Sequence, residues 1–349
     1  MTSNTFLQNI DAQPDALRRV VDVYGSQGGR TLLGGAHDLL RGKVVHSSGM
    51  GASLFALQAT RRLLDAAVPG HLIEETGYLS ENLSDLSRPL EALLLVSQSG
   101  ETVEARELQG MRPSSVPTVA ITRNLDSSVA TAADVVLPMA CEGDLSVAVQ
   151  TYSSTVAVLA LLAAELGDGD VDEVLKGISQ VADTIEKQIP RLSEETPAVA
   201  DHIGGAQQIY AVGRGASIAS AFATGLLLKE AAKRNCEGSG SAQFRHGAVE
   251  VISTETAVIV FTGDQPGVRT LDDNLVGELR SYGAPVVVVG PEDGEGVRGD
   301  RFVGLPPTPA ALRPILEVLP MQLLSAELAA RNGVVPGEFR NTVPVIVTA

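Results

Sequence analysis

Three hydroxyl side chains fall within six residues in the run Ser97-Gln98-Ser99-Gly100-Glu101-Thr102. It follows the apolar stretch EALLLV and precedes a helix-forming one, so it reads as a strand-to-helix turn. Hydroxyl donors, a glycine that permits a tight turn, and the N–H groups at a helix start together make a neutral, preorganised phosphate site. The carboxyl end of a strand is also where open α/β sheets bind ligands. Taken alone, the run fits a Ser-rich turn with a hydroxyl N-cap equally well. Glu101 counts mildly against an anion unless its side chain points away.

Other chemistry is poorly represented. Gly49-Met50-Gly51 and Gly213-Arg214-Gly215 lack the third glycine of a dinucleotide-binding fingerprint, and no GxxxxGK[ST] is present, so Gly213 and Gly215 read as close-packing positions. The two cysteines, Cys141 and Cys236, form no CxxC and are expected as buried thiols, with neither a disulfide scaffold nor a zinc site. No metal or organic cofactor is implied. With 42 acidic against 26 basic residues, the formal charge of −16 repels nucleic-acid backbones and anionic lipid heads. The N-terminus has no basic-then-apolar targeting pattern, and no apolar run reaches the ~18 residues of a membrane span, so a cytoplasmic location is expected.

The elements that must position the hydroxyl run come from a chain of 349 residues, a length that suggests two domains. Hydrophobic residues make up 44% and aromatics 3%, so the cores must be built of Ala, Leu and Val, as in buried parallel strands and their covering helices. The pattern runs twice. KVVHSSGMGAS is answered by QQIYAVGRGAS, LLLVSQSG by AVIVFTGD, VPTVAITRN by APVVVVGPE, and ADVVLPM by DRFVGLP. Two copies of one α/β domain follow, each a mostly parallel sheet flanked by helices. The boundaries read as an N-terminal helical segment over 1–34, a first domain over 35–190, and a second domain with a C-terminal tail over 191–349. The join falls where Pro190 to Pro197 carries turn and cap residues, and PEDGEGVRGD reads as a surface loop. The copies differ where the hydroxyl run stands, because the second has Thr262-Gly263-Asp264-Gln265-Pro266 there and is not built for an anion.

In order along nearly the whole chain, these motifs resemble the double sugar-isomerase (SIS) domain family, and within it the isomerase half of glucosamine-6-phosphate synthase. The resemblance rests on Ile10-Asp11-Ala12-Gln13-Pro14 with Leu17, the Ser97–Thr102 loop, and Val147-Ala148 before a helix. It continues through Gly213-Arg214-Gly215, Leu228-Lys229-Glu230, Glu237 and His246-Gly247. It implies that Ser97, Gln98, Ser99 and Thr102 grip a substrate phosphate, with Ser48, Gly49 and Val147 lining the same pocket. It also implies that Glu230 moves a proton between C1 and C2 of an open-chain sugar. His246 would help open the ring, contributed across the subunits of a homodimer.

A carboxylate partly shielded from water suits the proton transfer, and an imidazole of near-neutral pKa suits the ring oxygen. Local pattern alone reads Glu230, Lys233 and Arg234 as a solvated charged face, and His246 as a capping or surface residue. His46, His71 and His202 lack a comparable context, and Glu237 is read as structural. The synthase has an N-terminal glutaminase domain with a catalytic cysteine, whereas this sequence goes almost directly to the SIS-like region, so no glutaminase activity is expected. Leu227 stands where the synthase has a lysine. The tail, with Arg340 and Asn341 as its contact residues, carries asparagine at or near the place of an imine-forming lysine. The expectation is therefore a phosphosugar isomerase or an aminosugar-phosphate deaminase, with a fructosamine-6-phosphate deglycase as the alternative. A non-catalytic phosphosugar sensor is the rival from another class. Such regulators carry a basic helix-turn-helix segment, and the roughly 35 residues before the first domain are not basic.

Overall fold

The computed structural model describes residues 5–144, 146–263, 266–292, 299–341 and 345–346. Its elements run in order: α1 (Thr5–Asp11), α2 (Gln13–Gly25), α3 (Gln27–Leu40), β1 (Val45–Gly49), α4 (Ala52–Ala67), β2 (Leu72–Glu75) and α5 (Thr76–Asn82). Then come β3 (Ala92–Val96), α6 (Val103–Met111), β4 (Thr118–Thr122), α7 (Ser128–Ala132), β5 (Val135–Pro138), α8 (Gln150–Leu166) and α9 (Val171–Ile203). The rest is β6 (Gln208–Gly213), α10 (Ser217–Ala232), β7 (Cys236–Gly240), α11 (Ser241–Phe244), β8 (Thr256–Phe261), α12 (Pro266–Ser281), β9 (Val286–Pro291), β10 (Arg301–Leu305), α13 (Arg313–Glu317) and α14 (Leu319–Arg331).

The chain divides into two units. The first comprises Ala12–Ala182 with Phe339–Ala349, and the second Asp183–Glu338 with Met1–Asp11. Each contains one parallel five-stranded sheet, ordered β2-β1-β3-β4-β5 in the first and β7-β6-β8-β9-β10 in the second. The orders are the same once β6 is matched to β1, so the fold is α/β with one topology used twice.

The strands form because they are short apolar runs that helices cover on both faces. Every residue of β1, β3, β4 and β8 is buried. On one face of the first sheet, Leu93, Leu95 and Ala120 pack with Leu79, Ala105, Leu108 and Val129. In the second, Val258, Val260, Val286 and Val288 pack with Leu275, Val276, Leu279 and Phe244. The α8 helix is buried nearly all round and packs on α2, α3 and α4, as an aliphatic helix without a polar face must.

Two sequence expectations need correction. The stretch around Pro190 to Pro197 is no turn: α9 runs unbroken for 33 residues through both prolines. The apolar period explains it, since Ile178, Val181, Ala182, Ile185, Leu192, Val199, Ala200 and Ile203 are buried at helical spacing, and that burial outweighs the roughly 3 kcal/mol a helix-interior proline costs. Cys236 is buried, but Cys141 is only partly so. Of the loop PEDGEGVRGD, residues 293–298 lie outside the described residues.

Candidate functional site

In a sheet ordered 2-1-3-4-5, connections leave β1 and β3 in opposite directions, and a crevice opens between their carboxyl ends. In the first unit, Ser48 and Gly49 end β1, and Ser97 follows directly on β3, with Gly49 beside Val96 in the register. The sequence-predicted Ser48, Gly49 and Ser97–Thr102 are thus brought together at one strand junction.

The loop is held by its own hydroxyls. Ser97 Oγ accepts from Gly100 N–H at 3.1 Å, and Ser99 Oγ from Glu101 N–H at 3.1 Å. A hydroxyl that accepts a backbone N–H keeps its own hydrogen to donate, so both remain donors toward a ligand. Gly100 has φ +65°, and a Cβ there would stand 2.0 Å from Ser127 Oγ, so only glycine fits. The Gln98 carbonyl is tied to β4 by Arg123 N–H (3.2 Å) and Thr122 Oγ1 (3.3 Å). Ser48 Oγ donates to Thr76 Oγ1 at 3.0 Å, which fixes its rotamer.

Glu101 does point away. Its carboxylate accepts from Ser128 N–H (2.6 Å) and Ser128 Oγ (2.9 Å), and these bonds hold it below its usual pKa. Thr102 is the N-cap residue of α6, and the next N–H, from Val103, goes to the Ile346 carbonyl at 3.0 Å. The tail therefore reaches the loop through Ile346, while Arg340 and Asn341 are exposed and make no described contact with it.

Val147 is 3% exposed in the segment leading to α8. That segment is organised by Asp144, which pattern reading missed. Its carboxylate collects the N–H groups of Val149 (2.9 Å), Gln150 (3.2 Å) and Thr151 (3.0 Å), and Thr151 Oγ1 at 2.5 Å. Burial raises its pKa against those four bonds. The start of α8 thus has its own anion.

In the second unit, Glu230 lies in the last turn of α10, half-buried behind the buried Leu227 and Leu228. Burial raises its carboxyl pKa, opposed by Lys233 and Lys229, and Lys233 Nζ donates to the Glu230 carbonyl. His246 is exposed on the turn after α11. The loop belongs to the first unit, and Glu230 and His246 to the second.

The matching junction of the second unit, between β6 and β8, is filled from within. Asp272, fully buried, accepts from Arg214 Nε at 2.9 Å and from the Gly263 N–H at 3.4 Å. Burial pushes its pKa up, and the Gly263 N–H and Arg214 pull it down. Gly213 is a close-packing position, its hypothetical Cβ 2.3 Å from the Ser217 carbonyl, but Gly215 is there for its φ of +57° and has open space around it.

Two further histidines have contexts that linear spacing did not reveal. Ser47 Oγ and His71 Nε2 are 2.8 Å apart, and His71 Nδ1 is 2.7 Å from Asp65 Oδ1, the arrangement of a hydrolase relay. Ser47 is fully buried, so no carbonyl carbon can approach it, and the relay instead fastens α4 to β1. Burial lowers the His71 pKa, with the Asp65 hydrogen bond opposing. His46 bonds Glu74 on the neighbouring strand. Among the described residues, no group of three or more His, Cys, Asp or Glu could hold a metal ion. Among the same residues, no helix is long and apolar enough to cross a membrane.

Comparison with known proteins finds structures of the same fold. The SIS domain model matches residues 202–330. A glutamine–fructose-6-phosphate aminotransferase (isomerizing) of Streptococcus pyogenes is 25% identical over 354 aligned residues, covering 97% of this chain and 58% of its own length. The chain thus spans little more than half of that relative. The C-terminal domain of glucosamine-fructose-6-phosphate aminotransferase from Francisella tularensis superposes with a TM-score of 0.83 at 16% identity, covering 96% of this chain and 98% of its own. The tagatose-6-phosphate ketose/aldose isomerase of Escherichia coli gives 0.81 at 19%, with 96% and 95% covered. Residues 202–330 are thus similar to the SIS domain, and the chain shares the fold of the C-terminal domain of glucosamine-fructose-6-phosphate aminotransferase.

Proposed function

We propose that the protein is a phosphosugar isomerase or aminosugar-phosphate deaminase made of two tandem SIS domains, acting on an open-chain hexose 6-phosphate. The observation that carries the reading is the β1/β3 crevice, where Ser97 and Ser99 keep donor hydrogens behind a glycine that admits no side chain. Gln98, Thr102, Ser48, Gly49 and Val147 complete the phosphate-binding set. The SIS domain match over residues 202–330 supports sugar-phosphate chemistry in general.

Moving a carbonyl between C1 and C2 requires a base that removes a proton from one carbon, forming a cis-enediol, and returns it to the other. Glu230 takes that role, because burial makes its carboxylate a better proton acceptor than an exposed one. His246, on an exposed turn, exchanges a proton with the ring oxygen and is contributed by a second copy of the chain. With an amine at C2, the same transfer gives an enolamine and then a ketimine, whose hydrolysis releases ammonia. A fructosamine 6-phosphate offers the same chemistry with an amino acid as the leaving group, and Asn341, at or near the place of the synthase's imine-forming lysine, fits release better than amination.

Incubation with glucosamine 6-phosphate, fructose 6-phosphate and fructosamine 6-phosphates, followed by mass spectrometry of ammonia, amino acid and hexose phosphate, separates these outcomes. Glu230→Gln should abolish turnover and leave affinity within a few-fold, and mixing Glu230→Gln with His246→Gln chains should restore part of the activity. Unchanged rates in Glu230→Gln would remove that residue from the mechanism.

A further inference from the structure

Arg123 stands one residue past the carboxyl end of β4, beside the Ser97–Thr102 loop. We propose that its guanidinium binds the carboxylate of an α-amino acid carried, through its nitrogen, on C1 of the substrate, which makes that substrate the 6-phosphate of a fructosamine. This rests on the phosphate reading of the loop and narrows what the site accepts.

Three contacts place the charge. The Arg123 N–H donates to the Gln98 carbonyl at 3.2 Å, so the residue is fastened directly to the loop. Thr122 turns its hydroxyl toward Gly100 and the Gln98 carbonyl, on the side where α6 begins, and successive side chains of a strand alternate. The Arg123 side chain therefore leaves on the other side, away from the start of α6. It lies against Gly143, where a Cβ would meet Arg123 Nε at 2.6 Å, Cδ at 2.9 Å and Cζ at 3.0 Å. Gly143 belongs to the segment that carries Asp144 and Val147 toward α8, so the cation stands on the side to which Val147 is assigned.

The charge is uncommitted. Arg123 is exposed, and among the described residues its side chain makes no hydrogen bond or ion pair. The acids of the neighbouring segment face elsewhere. Asp144 collects the N–H groups of Val149, Gln150 and Thr151, and Glu142 Oε1 is 3.8 Å from Arg19. A seated stem with an open guanidinium suits a planar carboxylate, which arginine holds through two parallel N–H···O bonds.

The substrate's dimensions agree. Phosphorus and the carboxylate carbon are separated by about ten bonds of ~1.5 Å, a span of roughly 8–12 Å. Arg123 is one strand from the loop, ~4.8 Å, and its stem reaches about 6 Å further, so both anionic ends of one molecule can be held. Moving a proton from C1 to C2 turns the keto-amine into an imine at C1. Water then adds to C1 and the C1–N bond breaks, giving an aldose 6-phosphate and the free amino acid with no oxidant or reductant. Glucosamine 6-phosphate and fructose 6-phosphate have no second anion for Arg123.

Steady-state rates and titration calorimetry on the full chain test this with the 6-phosphates of fructosyl-glycine and fructosyl-ethanolamine, which differ as carboxylate against hydroxymethyl. The glycine compound should be favoured about 10–100-fold in kcat/KM, the range for hydrogen bonds to a charged group. In Arg123→Gln and in Arg123→Met, which keeps the stem, the ratio should fall to within ~2-fold of one. Circular dichroism establishes that each variant is folded. Ser99→Ala should weaken both compounds and leave their ratio unchanged. Equal use of the two compounds by the parent chain would overturn the proposal, as would a ratio that survives both Arg123 substitutions or no binding of either compound. If glucosamine 6-phosphate then still binds in a Ser99-dependent way, the carboxylate assignment alone has failed. If it does not, the phosphate reading has failed as well.

Discussion

The crevice between β1 and β3 and the one between β6 and β8 are the same place in two copies of one topology, yet they meet the same electrostatic demand differently. In the first, the Ser97 and Ser99 hydroxyls accept from the loop's own Gly100 and Glu101 N–H groups and keep their hydrogens to donate, which is where we propose that a phosphate binds. In the second, the chain supplies its own anion, with the Asp272 carboxylate receiving the Gly263 N–H and the Arg214 guanidinium. A repeated fold thus keeps the strand-end demand for negative charge in both copies, and one copy answers it internally. Function resides in what occupies the junction rather than in the sheet that makes it.

The comparison can be broken most forcefully at Asp272. Asp272→Ala leaves Arg214, whose side chain is 16% exposed, without that counter-ion, and unfolding free energy should drop by about 3 kcal/mol in urea denaturation, near the lower end for a broken buried pair. Added acetate should restore part of the loss, and failure to do so would show that the carboxylate is not standing in for an anion.

The glycines of the two turns come next. Gly100→Ala meets Ser127 Oγ at 2.0 Å and requires φ +65°, whereas a Cβ on Gly263 meets only Val268 at 3.5 Å and Arg313 at 3.8 Å. We expect Gly100→Ala to cost about 2–4 kcal/mol and to abolish sugar-phosphate affinity, and Gly263→Ala to fall within ~1 kcal/mol of the parent in thermal denaturation. Equal costs would deny that the two turns differ.

A milder change sharpens the picture. Ser99→Ala should weaken phosphorylated ligands about 10-fold, the effect of one lost hydrogen bond of about 1.4 kcal/mol, and leave free sugars unaffected in titration calorimetry. Parallel losses for both would make the loop only a turn. The smallest effect is in the pH profile. Burial raises the Glu230 pKa, and a base works deprotonated, so kcat/KM should fall on acidification through a midpoint above the ordinary 4.5 of a glutamate. In Glu230→Asp that midpoint should move, and an acid limb unchanged by the substitution would assign it to another group.

Much of the first junction was legible in the chain because it is local. Ser97, Ser99 and Gly100 bond within their own turn, and sequence neighbours need no fold to meet. The direction of Glu101 was not legible, since it is set by Ser128, 27 residues on, across the end of β4. Asp144 had no signal of its own, because a carboxylate in a coil segment becomes a cap only when α8 starts beside it. The proline-bearing stretch of α9 is the opposite case, where the apolar period of the helix prevails over local turn signals from Pro, Ser and Glu.

The order of apolar runs, and the one place where hydroxyls cluster after a strand, determined the fold class, the repetition and the phosphate-binding candidate. Those properties depend on composition and spacing over ten residues or fewer, which local propensity controls. Tertiary structure alone decided that Asp272 meets Arg214, that Ser47, His71 and Asp65 align, and that Arg313 and Glu317 line one cavity with β9 and β10. Each needs strand order and register to bring together groups from different elements. No short window of sequence contains that information, because partners such as Ser47 and His71, 24 residues apart, or Arg214 and Asp272, 58 apart, meet only once the sheet and its helices are packed.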